Sequence, residues 1–222
     1  MTNRAVPDSR LLSGAEFFRR AAVRLSLNPP ETLTHPPIRY FDDHDGDPGV
    51  MAAIAAMRRL RTAAVLVPII ARAQPTVLFT RRTGHLTDHA SQIAFPGGKM
   101  EVNDATPAAA ALREAEEEIA LDRSFVEPIG YLDVHVTPSG YCIVPTLARV
   151  REGFALQVSP GEVASAFEVP LTFLMAPENY ERQQAQWNQL STSVSAIRLE
   201  EDKIWGVTAA ILRNLCERIY KG

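Results

Sequence analysis

The sequence predicts an α/β fold in which helices cover a mixed β-sheet. Apolar residues recur at helical spacing in several segments, and β-rich runs lie between those segments. Hydrophobic residues make up 46% of the 222 residues and charged residues 22%, which is typical of folded globular domains. Helices and strands that interleave along a chain indicate a sheet packed between helices.

The N-terminal residues 1–60 are predicted to form an extension that packs on the core or leads into it. Ser13 and Glu16 have the spacing of a capping box, and the apolar residues that follow predict a helix over residues 14–26. A Pro- and Asp-rich loop comes next. A second helix is predicted over residues 50–60, because this segment is rich in Ala and Met and ends on basic residues.

The remaining predicted elements are four strands and two helices. The strands cover residues 63–70, 76–82, 126–136 and 141–149, and the helices cover residues 108–120 and 205–220.

Charge and cysteine content exclude several classes of protein. The net charge of −3 gives no electrostatic reason to expect a nucleic-acid partner. The longest apolar stretch, residues 63–71, is interrupted by Pro68 and is too short to span a membrane, and the N-terminus lacks a signal-peptide pattern. Cys142 and Cys216 lack the paired spacing of zinc sites and disulfide frameworks. We expect a soluble cytoplasmic protein, and the sequence leaves a homodimer open.

The helix over residues 108–120 carries an unusual acidic face. Glu114, Glu117 and Glu118 are three and four positions apart, so their carboxylates project together and repel one another. A hard divalent cation such as Mg²⁺ would offset this repulsion, since it prefers oxygen ligands. The alternative is an ordinary solvated helix, because glutamate is a good helix former. The preceding Phe95-Pro-Gly-Gly98 favours a site, since glycine lets the backbone approach a ligand closely.

This segment resembles the Nudix box, G-x5-E-x7-R-E-U-x-E-E-x-G-U, in which U is apolar. The matching residues are Gly98, Arg113, Glu114, Ala115, Glu117, Glu118 and Leu121. Two positions depart from the pattern. Asp104 replaces the middle glutamate and is followed by eight residues instead of seven, and Ala120 replaces the second glycine.

The resemblance implies a Nudix α/β/α sandwich over residues 61–222 and a set of roles. Glu114, Glu117 and Glu118 would bind Mg²⁺ or Mn²⁺, Arg113 would hold a glutamate in place, and a backbone carbonyl at Gly97 or Gly98 would complete the coordination. Nudix enzymes commonly take a further acid from outside the box as general base or metal ligand, and Glu162 is the candidate here. The alternative for Glu162 is an exposed turn residue.

The segment from Leu78 to Gly98 is similar to the signature of the coenzyme A pyrophosphatase branch, L-L-T-x-R-[SA]-x3-R-x3-G-x3-F-P-G-G. Thr83, Thr87 and Ser91 depart from that signature. The candidate substrate-binding residues are Arg81, Arg82, His89, Gly97, Gly98 and Lys99. The alternatives are that Arg81 and Arg82 are solvated at a strand end and that His89 is a structural residue of the loop.

The resemblance implies hydrolysis of coenzyme A or acyl-coenzyme A to 3',5'-ADP and (acyl-)4'-phosphopantetheine. An alternative is a Nudix pyrophosphatase for ADP-ribose, dinucleotides or nucleoside triphosphates. A third is a Nudix ligand sensor without turnover, which would normally have lost one or more of the box glutamates. All three glutamates of the E-x-x-E-E motif are present in this sequence.

Overall fold

The computed structural model describes residues 13–30, 49, 52, 60–84, 91–137, 139–187, 190–200 and 202–220, without the side chains of residues 186–192. The predicted helix over residues 50–60 lies almost wholly outside this part of the chain, as do Thr87 and His89.

The described residues form four α-helices and eleven strands. The helices are α1 (Gly14–Arg24), α2 (Pro107–Ile119), α3 (Leu171–Leu174) and α4 (Val207–Tyr220). The strands are β1 (Arg61–Ile70), β2 (Thr76–Arg82), β3 (Ile93–Ala94), β4 (Gly97–Lys99), β5 (Val126–Tyr131), β6 (His135–Val136), β7 (Tyr141–Val150), β8 (Val163–Pro170), β9 (Tyr180–Trp187), β10 (Leu190–Leu199) and β11 (Asp202–Trp205).

Eight of these strands form one mixed sheet. Its order is β3-β2-β1-β7-β5, and β4, β6 and β8 pair with β1, β7 and β2 respectively. Strands β1 and β7 run parallel over ten residue pairs, and the other neighbours in this sheet are antiparallel. The mixed sheet that the sequence predicted is therefore confirmed. Strands β9, β10 and β11 form a separate antiparallel sheet.

Helices cover both faces of the eight-stranded sheet. Successive side chains of a strand point to opposite faces, and β1 is buried on both. Ala64 and Leu66 belong to the core beneath α2, whereas Val67 and Ile69 belong to the core that α1 and α4 cover. This arrangement is the predicted α/β/α sandwich.

Helix α1 packs directly on the core. The side chain of Ser13 accepts a hydrogen bond from the N–H of Glu16 at 3.3 Å, which confirms the predicted helix start. Phe17 is fully buried. Arg24 donates to the carbonyl of Ile219 at 2.7 Å, so α1 is tied to the last turn of α4. No helix among the described residues combines the length and apolar character that crossing a membrane requires.

The structure corrects one predicted strand and adds six, the short strands β3 and β4 and the strands β8 to β11. The segment predicted as a strand over residues 126–136 is two strands, β5 and β6, and the register of β5 on β7 shifts between Pro128 and Gly130. A shift of this kind bends a strand and interrupts its pairing. Strands β8 to β11 were not predicted, because their sequences do not show the regular apolar alternation of a half-buried strand.

Candidate active site

Helix α2 presents the acidic face, and its ends are defined by specific residues. Thr106 is the N-cap, because its side chain accepts a hydrogen bond from the N–H of Ala109 at 3.1 Å. The helix ends at Ala120, which adopts a left-handed conformation with φ 53°. The buried side chains of Ala111 and Ile119 lie in the core with β1. This packing turns the glutamate-bearing face of the helix toward β4.

Glu118 is the most buried of the four candidate acids, with 3% of its surface exposed. Its carboxylate accepts a hydrogen bond from the N–H of Gly97 at 3.3 Å. Burial raises the pKa of Glu118 to about 7, and the negative charges of Glu114 and Glu162 push it in the same direction. A carboxyl that is this poorly solvated gains from a nearby positive charge.

Glu114 lies directly over the glycine pair. A Cβ added to Gly98 would stand 2.5 Å from the carboxyl carbon of Glu114, so any larger residue at position 98 would displace this side chain. A Cβ on Gly97 would come within 2.7 Å of the Cα of Val65, because β4 pairs closely with β1. Burial raises the pKa of Glu114 as well. The glycines of the motif therefore make room for a carboxylate and a neighbouring strand.

Arg113 connects the acidic face to the loop that precedes α2. Its guanidinium donates to the carboxylate of Asp104 and to the carbonyl of Lys99 at 3.1 Å. The same guanidinium lies 3.0 Å from the carboxylates of Glu114 and Glu117. Hydrogen bonds from Arg113 hold the pKa of Asp104 below its usual value. Arg113 thus contacts two of the helix glutamates, and its contact with Asp104 was not foreseen.

Glu162 lies in the turn before β8, on the same side as the helix acids. The backbone N–H of Ser159, in the same turn, donates to the backbone carbonyl of Glu118 at 2.8 Å, and the negative charge of Glu162 contributes to the raised pKa of both Glu114 and Glu118. The side chain is exposed, and the backbone carbonyl accepts a hydrogen bond from the N–H of Thr83 at 3.0 Å. Buried Thr83 thus ties this turn to the end of β2, a contact that sequence reasoning did not identify.

The side chains of Arg81 and Arg82, which are neighbours in β2, interact with different parts of the molecule. The charge of Arg82 lowers the pKa of Glu118, and its buried Nε has no hydrogen-bond partner among the described residues. Arg81 forms a two-pronged ion pair with Asp202 of β11, at 2.9 Å and 2.6 Å. Arg82 therefore faces the carboxylates of the candidate site, whereas Arg81 is bound to Asp202 of the three-stranded sheet. Lys99 has an exposed side chain at the end of β4.

Two departures from the sequence patterns coincide with left-handed backbone. Ala120 stands where the box has its second glycine, and Ser91 stands where the upstream signature has a glycine. Their φ angles are 53° and 61°. Glycine adopts such angles without steric cost, whereas alanine and serine do not. Both loops therefore hold a residue other than glycine in a conformation that glycine adopts more easily.

The donor set fits a hard divalent cation, although the acids are not already gathered into a binding group. Within the described part of the chain, no three Asp, Glu, His or Cys side chains stand together as a ready metal site. Arg113 draws Glu117, which is 60% exposed, toward itself. The carboxyls of buried Glu118 and partly exposed Glu114 nevertheless offer the oxygen donors that Mg²⁺ and Mn²⁺ take.

Residues 60–190 match the family model of the NUDIX domain. The chain belongs to the Nudix family. It is 36% identical over 214 residues to an uncharacterized Nudix hydrolase, NudL, of Yersinia pestis strain Pestoides F, an alignment that covers 95% of this chain and 98% of the relative. NudL of Yersinia pseudotuberculosis serotype O:1b, strain IP 31758, matches with the same values. A Nudix hydrolase acts on pyrophosphate bonds of nucleoside derivatives.

Solved structures are more distant in sequence. The crystal structure of a Caenorhabditis elegans Ap4A hydrolase binary complex has a TM-score of 0.43 and 19% identity, and the match covers 50% of this chain and 80% of that one. The alignments with the two NudL proteins, by contrast, include most of the N-terminal segment that precedes the NUDIX match.

Proposed function

We propose that this Nudix hydrolase cleaves coenzyme A or acyl-coenzyme A to 3',5'-ADP and (acyl-)4'-phosphopantetheine, with Mg²⁺ or Mn²⁺ as cofactor. The observation that carries the proposal is that the carboxyls of buried Glu118 and partly exposed Glu114 both lie against the Gly97–Gly98 backbone. Poorly solvated carboxyls gain from a nearby cation, and pyrophosphate hydrolysis uses one.

The metal would be held by Glu114, Glu117 and Glu118, with a backbone carbonyl at Gly98 or Gly97 as a further ligand. When bound, it neutralises phosphate charge and acidifies a coordinated water. Arg113, fixed by Asp104, positions the carboxylates of Glu114 and Glu117.

Glu162 is the proposed general base. It is exposed and therefore reaches water, while Glu118 is buried and Glu114 is only partly exposed. A carboxylate in that position can accept the proton of the attacking water.

Arg82 and Lys99 are proposed to bind substrate phosphate. Arg82 has a buried Nε without a partner among the described residues, so it can take a phosphate oxygen without breaking an existing bond at that atom. Arg81 would first have to leave Asp202, so we assign it to the smaller sheet instead. The contribution of His89, which lies outside the described residues, stays a prediction.

Coenzyme A is favoured over other nucleotides by the similarity of residues 78–98 to the signature described above. Arg82 occupies the arginine position of that signature and faces the carboxylates. We further propose that residues 1–60 form an extension to a hydrolase domain of residues 61–222, since α1 packs on the core of that domain.

A substrate panel tests the proposal. Coenzyme A, dephospho-coenzyme A, ADP-ribose, a dinucleotide and a nucleoside triphosphate are compared by kcat/KM with Mg²⁺ or Mn²⁺. Coenzyme A should be preferred, and removal of its 3'-phosphate should cost roughly tenfold to a hundredfold in kcat/KM, as expected for one charged hydrogen-bonding group.

Each contrary outcome has a distinct meaning. Equal values for coenzyme A and dephospho-coenzyme A, or faster cleavage of ADP-ribose, would favour a broader Nudix pyrophosphatase. Binding of one of these compounds without turnover under any metal condition would favour the ligand sensor.

A further inference from the structure

A groove lies between the three-stranded sheet and the residues that lead into β3. Its volume is about 510 Å³. Side chains of β9, β10 and β11 form one wall, and Ser91 and Gln92 form the other. None of the acids of the candidate active site lines this groove, so it is a separate feature of the molecule.

The charged side chains in and beside the groove sum to no net charge. Its lining carries three carboxylates and two cationic side chains. Glu181 is paired with Arg198 at 3.3 Å, and Asp202 is paired with Arg81, which lies outside the lining. With Arg81 included, the formal charge is zero. A phosphate would meet three carboxylates here and gain no net attraction, whereas a neutral ligand would meet no such penalty.

The polar groups of the groove are suited to amides. Gln92 and Gln183 offer carboxamides, each of which both donates and accepts hydrogen bonds, and Ser91 offers a hydroxyl. The Nζ of Lys203 donates to the Oε1 of Gln183 at 2.9 Å. Trp205 adds an aromatic surface for apolar carbon. This combination favours a neutral chain in which amides alternate with short apolar segments.

The groove is close to the candidate active site along the chain. The carbonyl of Gln92 accepts a hydrogen bond from the N–H of Arg82 at 3.0 Å. Gln92 and Gly98 are six residues apart, which limits their separation to about 20 Å. The hydroxyl of Thr208 donates to the carbonyl of Ile93 at 3.2 Å and fixes β3 beside the start of α4.

From these observations we infer that the groove binds the neutral, amide-bearing end of the substrate while its pyrophosphate lies at the carboxylates. The identity of that end rests on the proposed function. If coenzyme A is the substrate, the neutral end is its pantetheine arm, which is uncharged and contains two amides. Gln183 and Trp205 are then specificity-determining residues.

Binding of pantetheine alone, measured by calorimetry, tests this inference without using catalysis. Gln183→Ala should weaken pantetheine binding roughly 3- to 10-fold, as expected for loss of a neutral hydrogen bond. Gln184→Ala is the matched control, because Gln184 is an exposed residue of the same type whose side chain lies on the opposite face of β9. Trp205→Ala should also weaken binding, and Trp205→Phe should restore most of it. Melting temperatures check that each variant is folded.

Kinetics with the same variants separate this inference from the proposed function. Gln183→Ala should raise KM for coenzyme A by a similar factor and leave kcat, and all kinetics with ADP-ribose, unchanged. If the wild type cleaves coenzyme A but Gln183→Ala and Gln184→Ala behave alike, the inference is wrong and the proposed function stands. If the wild type does not cleave coenzyme A but pantetheine binding depends on Gln183, the proposed function is wrong. The assignment of the groove to a neutral, amide-bearing chain then stands.

Two further results would overturn the inference. One is the absence of pantetheine binding at millimolar concentration. The other is weaker binding of 3',5'-ADP, instead of pantetheine, in Gln183→Ala, which would assign the groove to the nucleotide end.

Discussion

Asp104 accepts two hydrogen bonds from the guanidinium of Arg113, from Nε at 3.2 Å and from Nη2 at 3.0 Å. This pair links the loop before α2 to the acidic face of the helix. Since Arg113 also contacts Glu114 and Glu117, the carboxylate of Asp104 helps to set the position of two proposed metal ligands.

Asp104→Asn should therefore destabilise the protein by about 1 to 2 kcal/mol at pH 7, because a charged partner of Arg113 is lost. The pKa of Asp104 is lowered in the folded state, so its stabilising effect is present above pH 3.8 and disappears as pH falls through the lowered folded-state pKa. Urea denaturation of wild type and variant at pH 7 and pH 3 measures this. A stability difference that does not shrink at pH 3 would contradict the role of the charge.

Glu117→Gln should lower kcat by orders of magnitude and change the melting temperature little, because the side chain is mostly exposed and carries a proposed ligand charge. Glu116→Gln is the matched control on the same helix. Glu116 pairs with Arg123, away from the glycine pair, and its variant should retain activity. Near-wild-type turnover of Glu117→Gln across a magnesium titration would remove Glu117 from the site.

Gly98→Ala should reduce activity at least a hundredfold in a protein that still folds. The added Cβ would collide with the end of a flexible side chain, so Glu114 would move and the sheet would remain. Gly161→Ala controls for the substitution itself, because a Cβ there meets open space. Steady-state kinetics and circular dichroism of both variants give the result, and unaltered kinetics in Gly98→Ala would place the active site elsewhere.

Ala120→Gly should stabilise the protein by about 0.5 to 1 kcal/mol. The left-handed conformation at position 120 costs an alanine about 1 to 2 kcal/mol, and the greater chain entropy of glycine offsets part of the gain. Ala109→Gly, within the same helix, should instead lose up to about 1 kcal/mol. The melting temperatures of the two variants should thus shift in opposite directions. A lower melting temperature for Ala120→Gly would show that the backbone at Ala120 is not strained.

Local sequence patterns were sufficient for the elements that carry the acids. Helix α2 was predicted over residues 108–120 and extends over Pro107–Ile119, because the spacing of its apolar and acidic residues favours a helix. The closeness of Gly98 to Glu114 follows from the order of strand, loop and helix in the motif. These contacts depend on residues that are near one another in the chain.

Long-range contacts could not be predicted in the same way. Arg81 belongs to a strand that the sequence indicated, yet its partner Asp202 comes 121 positions later. The smaller sheet that supplies Asp202 has polar residues on many positions of both faces, so it lacks the alternation by which a half-buried strand is identified. The assignment of Arg81 to substrate rested on the motif alone.

The central pairing of the large sheet has a consequence for the order in which the protein folds. Arg61 of β1 pairs with Tyr141 of β7, 80 positions later, and Val77 of β2 pairs with Val169 of β8, 92 positions later. Contacts between such distant segments form slowly, because a long loop must close first. On the ribosome, strands β1 and β2 emerge long before β7 and β8, with which they pair. Glu162 arrives just ahead of β8, so a nascent chain cannot bring all its site acids together until most of the domain has been synthesised.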